Sequence, residues 1–346
     1  MSAVFLQSLI ACFSRLFSSP KKHKLLEASG LSETELYNVI ELKIQKELGL
    51  DIKLNSEFQV LGGSNNYGFV CHYSDGLEYD LVSKLSGLKL NLNEECFLKW
   101  HDQHIKSVDK FAPDFIAGGL VGVDNQFGFI TTEKLRMIKN ISDTNVFNLW
   151  KKLERGEGFF SAGLNSEMSL SGGTRIQDVL LNLVGNTDSE KGKRFLKTFF
   201  DERQGYFSGM LDEMKLCYTQ LNEAYEWVFS AEKITEMGFV HGDFKQSNMM
   251  QSLDGNLKLI DFQYCSLGYR EWDIAFYLSK AKNRGKLFKL QTLDPLEGSF
   301  DKSRLIFFFI IASLLHSGDK KFNQTYTCKV KPALAFLQEN SKFKRI

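Results

Sequence analysis

Apolar residues recur at helical spacing over residues 31–48, and beyond them apolar and polar residues alternate in short runs. Ser32 followed by Glu35 predicts the N-terminal cap of this first helix, because the two side chains can exchange hydrogen bonds with each other's backbone. Alternation with period two, interrupted by glycine-containing turns, predicts strands. The predicted strands are 58–61, 69–73, 77–85, 118–123 and 127–132, with a helix over 93–105.

The second half of the chain has mainly helical spacing. A Gly/Ser-rich stretch at 155–174 interrupts it, and a short hairpin is predicted at 249–260. A small sheet with one helix, followed by a larger helical half, is an α+β pattern with two lobes. The predicted domains are accessory helices (1–48), an N-lobe (49–134) and a C-lobe (135–346).

Composition excludes several classes of protein. Lys and Arg number 43 against 42 Asp and Glu, so the net charge of +1 lacks the basic excess of a nucleic-acid-binding protein. The six cysteines are scattered without a CxxC pair, which excludes a zinc site or disulfide scaffold and favours a reducing compartment. No apolar run approaches the roughly 18 residues that cross a bilayer. We therefore expect a cytoplasmic protein.

Residues 4–24 form an apolar stretch at helical spacing that ends in Lys21, Lys22 and Lys24. A secretory signal would carry its positive charge before the apolar stretch, so an amphipathic helix is the better interpretation. Two alternatives stay open. The helix either contacts the inner face of a membrane peripherally, with its lysines at anionic head groups, or packs on protein.

The strongest chemical pattern is His241-Gly-Asp-Phe-Lys-Gln-Ser-Asn248, followed by Leu259-Ile-Asp-Phe262. Asp254-Gly255 is a two-residue turn signal because both residues tolerate positive φ. With that turn at its centre, the hairpin places Asn248 opposite Asp261. An amide and a carboxylate oxygen are ligands that Mg²⁺ prefers.

Phosphoryl transfer requires these groups, because its catalysis consists mainly of positioning and charge stabilisation. Asn248 and Asp261 are the predicted metal ligands. Asp243 is placed to orient an acceptor hydroxyl and accept its proton, and Lys245 to reach the transferred phosphate.

His-x-Asp-x-x-x-x-Asn followed by a hairpin and Asp-Phe resembles the catalytic and metal-binding loops of the protein-kinase superfamily. The His-Gly-Asp form, with Gly242, is similar to the branch of aminoglycoside phosphotransferases, choline/ethanolamine kinases and ecdysteroid-kinase-like proteins. Glu271-Trp272-Asp273-Ile-Ala resembles a second marker of that branch. The resemblance implies a protein-kinase-like two-lobed fold, with ATP and Mg²⁺ as cofactors and a small hydroxyl-bearing acceptor.

The same resemblance implies a phosphate clamp in the N-lobe. Gly62, Gly63, Ser64 and Asn65 fit a glycine-rich turn whose backbone approaches phosphate, although an ordinary hairpin turn has the same pattern. The sequence contains no GxxxxGK[ST] motif, which excludes a P-loop.

Lys84 is the candidate for the strand lysine that contacts the α- and β-phosphates. A turn centred on Asp75-Gly76 would pair it with Tyr67. Glu94 and Glu95 compete as its carboxylate partner, and Glu94 is favoured because it shares the apolar face of its helix. Glu133, where the chain crosses between lobes, is expected to present backbone groups to adenine.

The sequence leaves three classes of function open: a small-molecule kinase, a regulatory pseudokinase and a protein kinase. The acceptor is an amino alcohol, a sugar or an aminoglycoside-like compound, and the sugar could belong to a membrane glycolipid. A nucleotide-binding regulatory pseudokinase is the alternative of another class, and the missing Ala-Pro-Glu segment counts against a protein kinase. His241 and Asp273 are expected to brace the loop. Residues that would suit a cationic acceptor are Glu157, Glu167, Tyr264, Tyr269 and Trp272.

Overall fold

A computed structural model of the chain shows a mixed α+β fold made of two compact units. It describes residues 30–49, 57–60, 69–74, 80–122, 125, 127–161, 175–204, 208–229, 237–280, 300–315 and 322–343. The first unit contains the described residues up to Arg136 together with Gln251–Lys258. The second contains Met137–Met250 and the described residues from Leu259 onward. The tip of the predicted hairpin therefore belongs to the first unit, which the sequence did not indicate.

The first unit begins with helix α1, Glu33–Leu48. The predicted cap is confirmed: the Glu35 backbone N–H donates to Ser32 Oγ, and the Glu35 carboxylate accepts from the Ser32 N–H. Gly49 ends the helix with a left-handed φ of 64°. The apolar face, including Leu36, Ile40 and Ile44, packs into a core with residues of the sheet.

A five-stranded antiparallel sheet follows, in the order β1-β2-β3-β5-β4. The second hairpin differs from its predicted register, because Ser83 lies opposite Cys71 rather than Gly68. The pairing of Ser74 with Asp80 leaves a connection of several residues in place of a two-residue turn, and it buries Leu81, Ser83 and Leu85. The strands are β1 Glu57–Val60, β2 Phe69–Ser74, β3 Asp80–Gly87, β4 Phe115–Val121 and β5 Phe127–Glu133.

Helix α2, Leu88–His104, connects β3 to the rest of the sheet and starts five residues before the predicted 93. The residues that share the face of Glu94 are all buried: Phe97, Leu98 and His101. A two-residue strand, β6 Arg136–Met137, follows where the chain passes from the first unit to the second.

The second unit is mainly helical. Part of the stretch predicted to be irregular, 155–174, is instead helical as far as Ser161, and the part from 162 lies outside the described residues. The helices are α3 Asp143–Lys152, α4 Glu157–Ser161, α5 Arg175–Val179, α6 Ser189–Gln204, α7 Leu211–Val228, α8 Glu271–Lys280, α9 Lys302–Leu315, α10 Phe322–Thr325 and α11 Lys331–Phe343.

Four short strands lie within this helical half: β7 Met237–Val240, β8 Met249–Gln251, β9 Leu257–Leu259 and β10 Ser266–Tyr269. Strands β7 and β10 pair in antiparallel fashion, with Val240 opposite Ser266. This pairing brings the segment after β7 close to the segment before β10. None of the helices among the described residues is long and apolar enough to span a membrane.

The hairpin of β8 and β9 forms with a register one residue away from the prediction. The Ser252 N–H donates to Asn256 O and the Ile260 N–H to Asn248 O, so Asn248 lies opposite Ile260 rather than Asp261. Only Gly255 of the turn has positive φ, at 89°, and its N–H donates to Ser252 O. A turn followed by one left-handed glycine makes a three-residue loop, which shifts the strands by one residue relative to a two-residue turn.

Candidate active site

The loop after β7 carries the predicted catalytic residues, and Asp273 of α8 holds it in place. The two carboxylate oxygens of Asp273 accept hydrogen bonds from the His241 N–H at 2.8 Å and the Gly242 N–H at 2.9 Å. Asp273 is completely buried, and this burial raises its pKa to about 7, although the two backbone donors favour the ionised form. The prediction that Asp273 anchors the loop is confirmed.

Gly242 has a backbone conformation that other residues rarely adopt, with φ of 86°. A Cβ atom there would lie 2.6 Å from the carbonyl oxygen of Tyr264 and 2.9 Å from Leu180 Cδ1. The indole N–H of Trp272 donates to the Gly242 carbonyl at 2.9 Å. The His-Gly-Asp form therefore follows from local packing, because only glycine combines this φ with so close an approach.

His241 braces the loop, as predicted. Its Nδ1 accepts from the Asp243 N–H at 3.3 Å, so the ring proton lies on Nε2, which is 3.0 Å from the carbonyl oxygen of Ile260. The imidazole thus joins the catalytic loop to the residue before Asp261. Its role is to position backbone rather than to react.

Asp243 is buried at the centre of the loop and has one oxygen engaged. Its Oδ2 accepts from Lys245 Nζ at 2.5 Å and from Asn248 Nδ2 at 3.1 Å. Its Oδ1 is buried and, among the described residues, has no hydrogen-bond partner. Burial raises the pKa of Asp243, and the nearby Asp261 carboxylate raises it further. Lys245 and Asn248 lower the pKa and so oppose this shift. A carboxylate with a raised pKa and one open oxygen is suited to accept a proton.

Asn248 and Asp261, the predicted metal ligands, are connected through the backbone of the hairpin. The Asn248 amide nitrogen donates to the main-chain oxygen of Asp243 at 2.9 Å as well as to its side chain, which leaves its carbonyl oxygen as the group for a cation. Asp261 follows directly on Ile260, the residue paired with Asn248.

The described residues contain no group of three or more His, Cys, Asp or Glu that could hold a metal ion. The predicted Mg²⁺ site does not require such a group, because Mg²⁺ typically takes one or two carboxylates and completes its shell with water and substrate phosphates.

Asp261 has an unusual backbone for a residue other than glycine, with φ of 71°. Aspartate tolerates this conformation better than most residues, but it still costs about 1–3 kcal/mol. It turns the chain between β9 and the short helix Phe262–Tyr264. Strain of this kind is concentrated at functional sites, which agrees with a role for Asp261 in binding.

In the first unit, Lys84 of β3 and Glu94 of α2 form the predicted ion pair, with Nζ and Oε2 2.8 Å apart. The competing Glu95 instead pairs with Lys99 at 2.6 Å. The choice between the two glutamates, made on the apolar face of the helix, is therefore confirmed as far as the pairing goes.

Glu133 ends β5, and its side chain is paired within the first unit. Its carboxylate binds Lys258 and accepts from the Asp114 N–H at 3.0 Å. Its own N–H donates to Asp114 O at 3.1 Å. That N–H is consequently engaged. The Glu133 carbonyl oxygen accepts from Thr132 Oγ1 at 3.2 Å, so only its second lone pair matches the expected role toward adenine. Its partner Lys258, in strand β9, had no signal in the local sequence.

Several predicted features cannot be placed. Gly62, Gly63, Ser64 and Asn65, together with the amphipathic segment 4–24, lie outside the described residues. Of the residues considered for a cationic acceptor, Tyr264, Tyr269 and Trp272 are buried in the second unit's core. Lys280, which interacts electrostatically with Asp243, was not identified from the sequence. Lys280 follows Asp273 by seven positions, so two turns of helix could have shown that they share a face.

Comparison with known proteins supports this assignment of motifs. The family model for choline/ethanolamine kinase matches residues 186–284, which include the catalytic loop, the hairpin and α8. Mouse serine/threonine-protein kinase LATS2 is 27% identical over 126 residues, and the matched part is 33% of this chain but only 12% of the mouse protein.

Two solved structures are similar to this chain over most of their own length. A GDP complex of an aminoglycoside 2'-phosphotransferase-IIIa mutant has a TM-score of 0.49 and 16% identity, covering 88% of this chain and 97% of the other. The ethanolamine kinase of Plasmodium vivax has a TM-score of 0.47 and 16% identity, covering 91% and 94%.

The family match and the loop geometry concern the same residues. The matched segment contains Asp243, Asn248, Asp261 and Asp273, which the structure connects through the loop and its hairpin. Residues 186–284 of this chain are therefore similar to the choline/ethanolamine kinases.

Proposed function

We propose that this protein transfers the γ-phosphate of ATP, in the presence of Mg²⁺, to a hydroxyl group of a small molecule. The observation that carries the proposal is the state of Asp243. Lys245 and Asn248 hold its Oδ2, while its buried Oδ1 has no hydrogen-bond partner in the described part of the chain. A structural carboxylate at this depth would normally have both oxygens hydrogen-bonded.

In this proposal Asp243 Oδ1 receives the proton of the acceptor hydroxyl. The acceptor oxygen forms the new bond to the γ-phosphorus, the bond between that phosphorus and the β–γ bridging oxygen breaks, and ADP leaves. Lys245, already 2.5 Å from Asp243, contacts the transferred phosphoryl group and offsets its charge.

Asn248 and Asp261 would hold Mg²⁺, which neutralises charge on the phosphates when it is bound. In the first unit, Lys84 would contact the α- and β-phosphates, with Glu94 holding its side chain extended. The backbone of residues 62–65 is proposed to cover the phosphates, and the Glu133 carbonyl to accept from the adenine amino group.

Mg²⁺-dependent release of ADP in the presence of hydroxyl-bearing metabolites tests this function, with Asp243→Asn as the decisive variant. We expect turnover to fall by about 10²-fold or more, because a positioned base contributes roughly that factor. Binding of ATP should remain, since Asp243 does not hold the nucleotide.

A matched control is Asp254→Asn, the same substitution at the exposed hairpin tip, which should leave turnover unchanged. Unchanged turnover in Asp243→Asn would remove the proposed role of Asp243. Nucleotide binding without turnover on any acceptor would favour the alternative of a regulatory pseudokinase. A glycolipid sugar as acceptor is the remaining alternative and depends on segment 4–24.

A further inference from the structure

Lys258 of strand β9 is a buried lysine that binds two carboxylates. Its ammonium group contacts the carboxylate of Glu133 and lies 3.6 Å from Asp114 Oδ1. Only 8% of the Lys258 side chain is exposed. Glu133 lies 125 residues earlier in the chain, and both residues belong to the first unit. The ion pair therefore ties the hairpin of β8 and β9 to the end of β5.

Asp114, the second partner of Lys258, is itself fixed within the first unit. Lys110 donates to Asp114 Oδ1 at 2.8 Å and to Asp102 Oδ1 at 2.7 Å. Asp102 Oδ2 in turn accepts from the Phe115 N–H at 2.6 Å. Because Asp102 lies on helix α2, the segment that faces Lys258 is anchored on a regular element.

These contacts converge on Glu133, whose carbonyl group is the proposed contact for adenine. Its carboxylate accepts from the Asp114 N–H at 3.0 Å as well as from Lys258, and its own N–H donates to Asp114 O at 3.1 Å. Its carbonyl oxygen accepts from Thr132 Oγ1 and keeps a second lone pair. The side chain and the N–H of Glu133 are both held, which fixes the direction of this carbonyl group.

Stability alone does not account for an ammonium group at this position. Removing a charge from water costs free energy, and an apolar side chain of similar size often stabilises a fold equally well. An apolar residue at position 258 would fill the same space but would leave the Glu133 carboxylate without its cation. What the ion pair adds is a fixed geometry, which favours binding where a backbone group must meet a ligand.

We propose that Lys258 is a positioning residue for nucleotide binding: by holding the Glu133 carboxylate, it directs the Glu133 carbonyl group toward the amino group of adenine. The proposal rests on the nucleotide binding proposed above and adds a determinant of base specificity to it. Lys258 acts through Glu133 and does not itself contact the nucleotide. Its effect should therefore be confined to bases that carry this amino group.

Matched nucleotides test the effect on base recognition. Purine riboside triphosphate differs from ATP in lacking the 6-amino group, which is the donor for the Glu133 carbonyl. In calorimetry with Mg²⁺ and no acceptor, we expect the wild type to bind ATP about 10-fold more tightly than the analogue, roughly the value of one hydrogen bond. In Lys258→Met this preference should fall below about 3-fold, because the affinity for ATP falls while that for the analogue stays the same.

The ratio of the two affinities separates positioning from a purely structural role. A general loosening of the first unit would weaken the binding of both nucleotides equally and leave the ratio at its wild-type value, which would overturn the proposal. Lys106→Met is the matched control, because it makes the same substitution at an exposed position of the same unit and should leave both affinities unchanged. The same fall in the ratio in Lys106→Met would contradict a specific role for Lys258.

Glu133→Ala removes the other member of the ion pair and keeps the main-chain carbonyl, so it provides the same test if Lys258→Met does not fold. We expect the preference for ATP to fall below about 3-fold here as well. The double variant should show no further fall, since the two side chains act as one unit. A wild-type preference in Glu133→Ala, or additive losses in the double variant, would contradict the proposal.

These binding measurements need no turnover, so their outcome is separable from that of the proposed function. A preference for ATP that is lost in Lys258→Met supports the positioning role even if no acceptor is phosphorylated, in which case only the proposed function fails. A wild-type protein that turns over ATP but binds ATP and the analogue equally keeps the proposed function and overturns the role of Lys258. No binding of either nucleotide to the wild type would overturn both.

Discussion

Lys84–Glu94 in the first unit and Lys245–Asp243 in the second are both lysine–carboxylate pairs, joined at 2.8 Å and 2.5 Å. They are built differently. Lys84 lies on a strand and Glu94 on the following helix, so regular secondary structure brings the partners together. Lys245 and Asp243 lie two residues apart in a loop whose shape depends on Asp273.

The difference shows which residues each ion pair depends on. Removing one member of the first pair leaves the strand and the helix in place, because their cores hold them. The second pair depends on groups that are not part of it: the Asp273 carboxylate, the His241 ring and the backbone conformation of Gly242. Variants that remove an anchor should therefore have larger effects than variants that remove a partner.

Asp273→Ala should have the largest effect on the second unit. It leaves the N–H groups of His241 and Gly242 buried without an acceptor, which costs about 2–5 kcal/mol of unfolding free energy. Chemical denaturation measures this loss, and turnover should become undetectable. Asp212→Ala, the same substitution in the exposed first turn of α7, should cost less than about 1 kcal/mol. Equal losses in the two variants would contradict an anchoring role.

Lys84→Met should reduce kcat/KM by about 10²-fold if Lys84 makes the proposed contact to phosphate, because one preorganised cation is then lost. The unfolding free energy should also fall by about 1–3 kcal/mol, because the buried Glu94 carboxylate loses its contact with Lys84. Steady-state kinetics and denaturation together separate the two effects. A large loss of stability with unchanged kinetics would assign Lys84 a purely structural role.

The pH dependence of turnover should follow the protonation of Asp273. As the pH falls through about 7, Asp273 is protonated, one of its oxygens becomes a hydroxyl group, and turnover should fall about 10-fold between pH 8 and pH 6 if the loop requires both oxygens as acceptors.

Stability should change in the opposite direction. A folded pKa above the unfolded value of 3.8 means that the folded protein binds this proton more tightly. The stabilisation of the folded state that comes from protonated Asp273 is therefore fully present below pH 4 and is lost as the pH rises through about 7. Turnover and stability that both rise over this range, in a protein with Asp273 intact, would argue against the shifted pKa.

Glu94→Gln should have the smallest effect, a loss of about 5-fold in kcat/KM, because the amide still accepts a hydrogen bond from Lys84 while the charge is lost. Glu95→Gln provides the matched control one position along α2, where the carboxylate pairs with Lys99. Glu95→Gln should change kcat/KM by less than 2-fold. A larger loss in Glu95→Gln than in Glu94→Gln would contradict the assignment of Glu94 as the functional partner of Lys84.

The sequence predicted best those features that depend on periodic patterns. The cap at Ser32 and Glu35 and the choice of Glu94 over Glu95 follow from helical spacing, and the structure has both. The strand regions were also found, because alternation marks them. Regular elements repeat the same geometry, so a pattern in the sequence corresponds to a face in the structure.

Register and long-range contacts were predicted less well. Asp254-Gly255 indicated a two-residue turn, but the Asp254 side chain accepts from the Asn256 N–H and stabilises a three-residue loop instead. The side chains of Lys258 and Lys329 reach their partners Glu133 and Ser279 over long separations that no local pattern encodes. Packing around Gly242, with Tyr264 and Leu180, is likewise decided by the tertiary structure.

The central claim is that Asn248 and Asp261 hold a cation bound to ATP next to Asp243. Calorimetry of ATP binding with and without Mg²⁺ tests it most directly, in the wild type, in Asp261→Asn and in the hairpin-tip control Asp254→Asn. We predict that Mg²⁺ tightens ATP binding at least about 10-fold in the wild type and in the control, because Mg²⁺ favours the Asp261 carboxylate as a ligand. In Asp261→Asn, Mg²⁺ should not tighten ATP binding. The same Mg²⁺ enhancement in all three proteins would contradict the account.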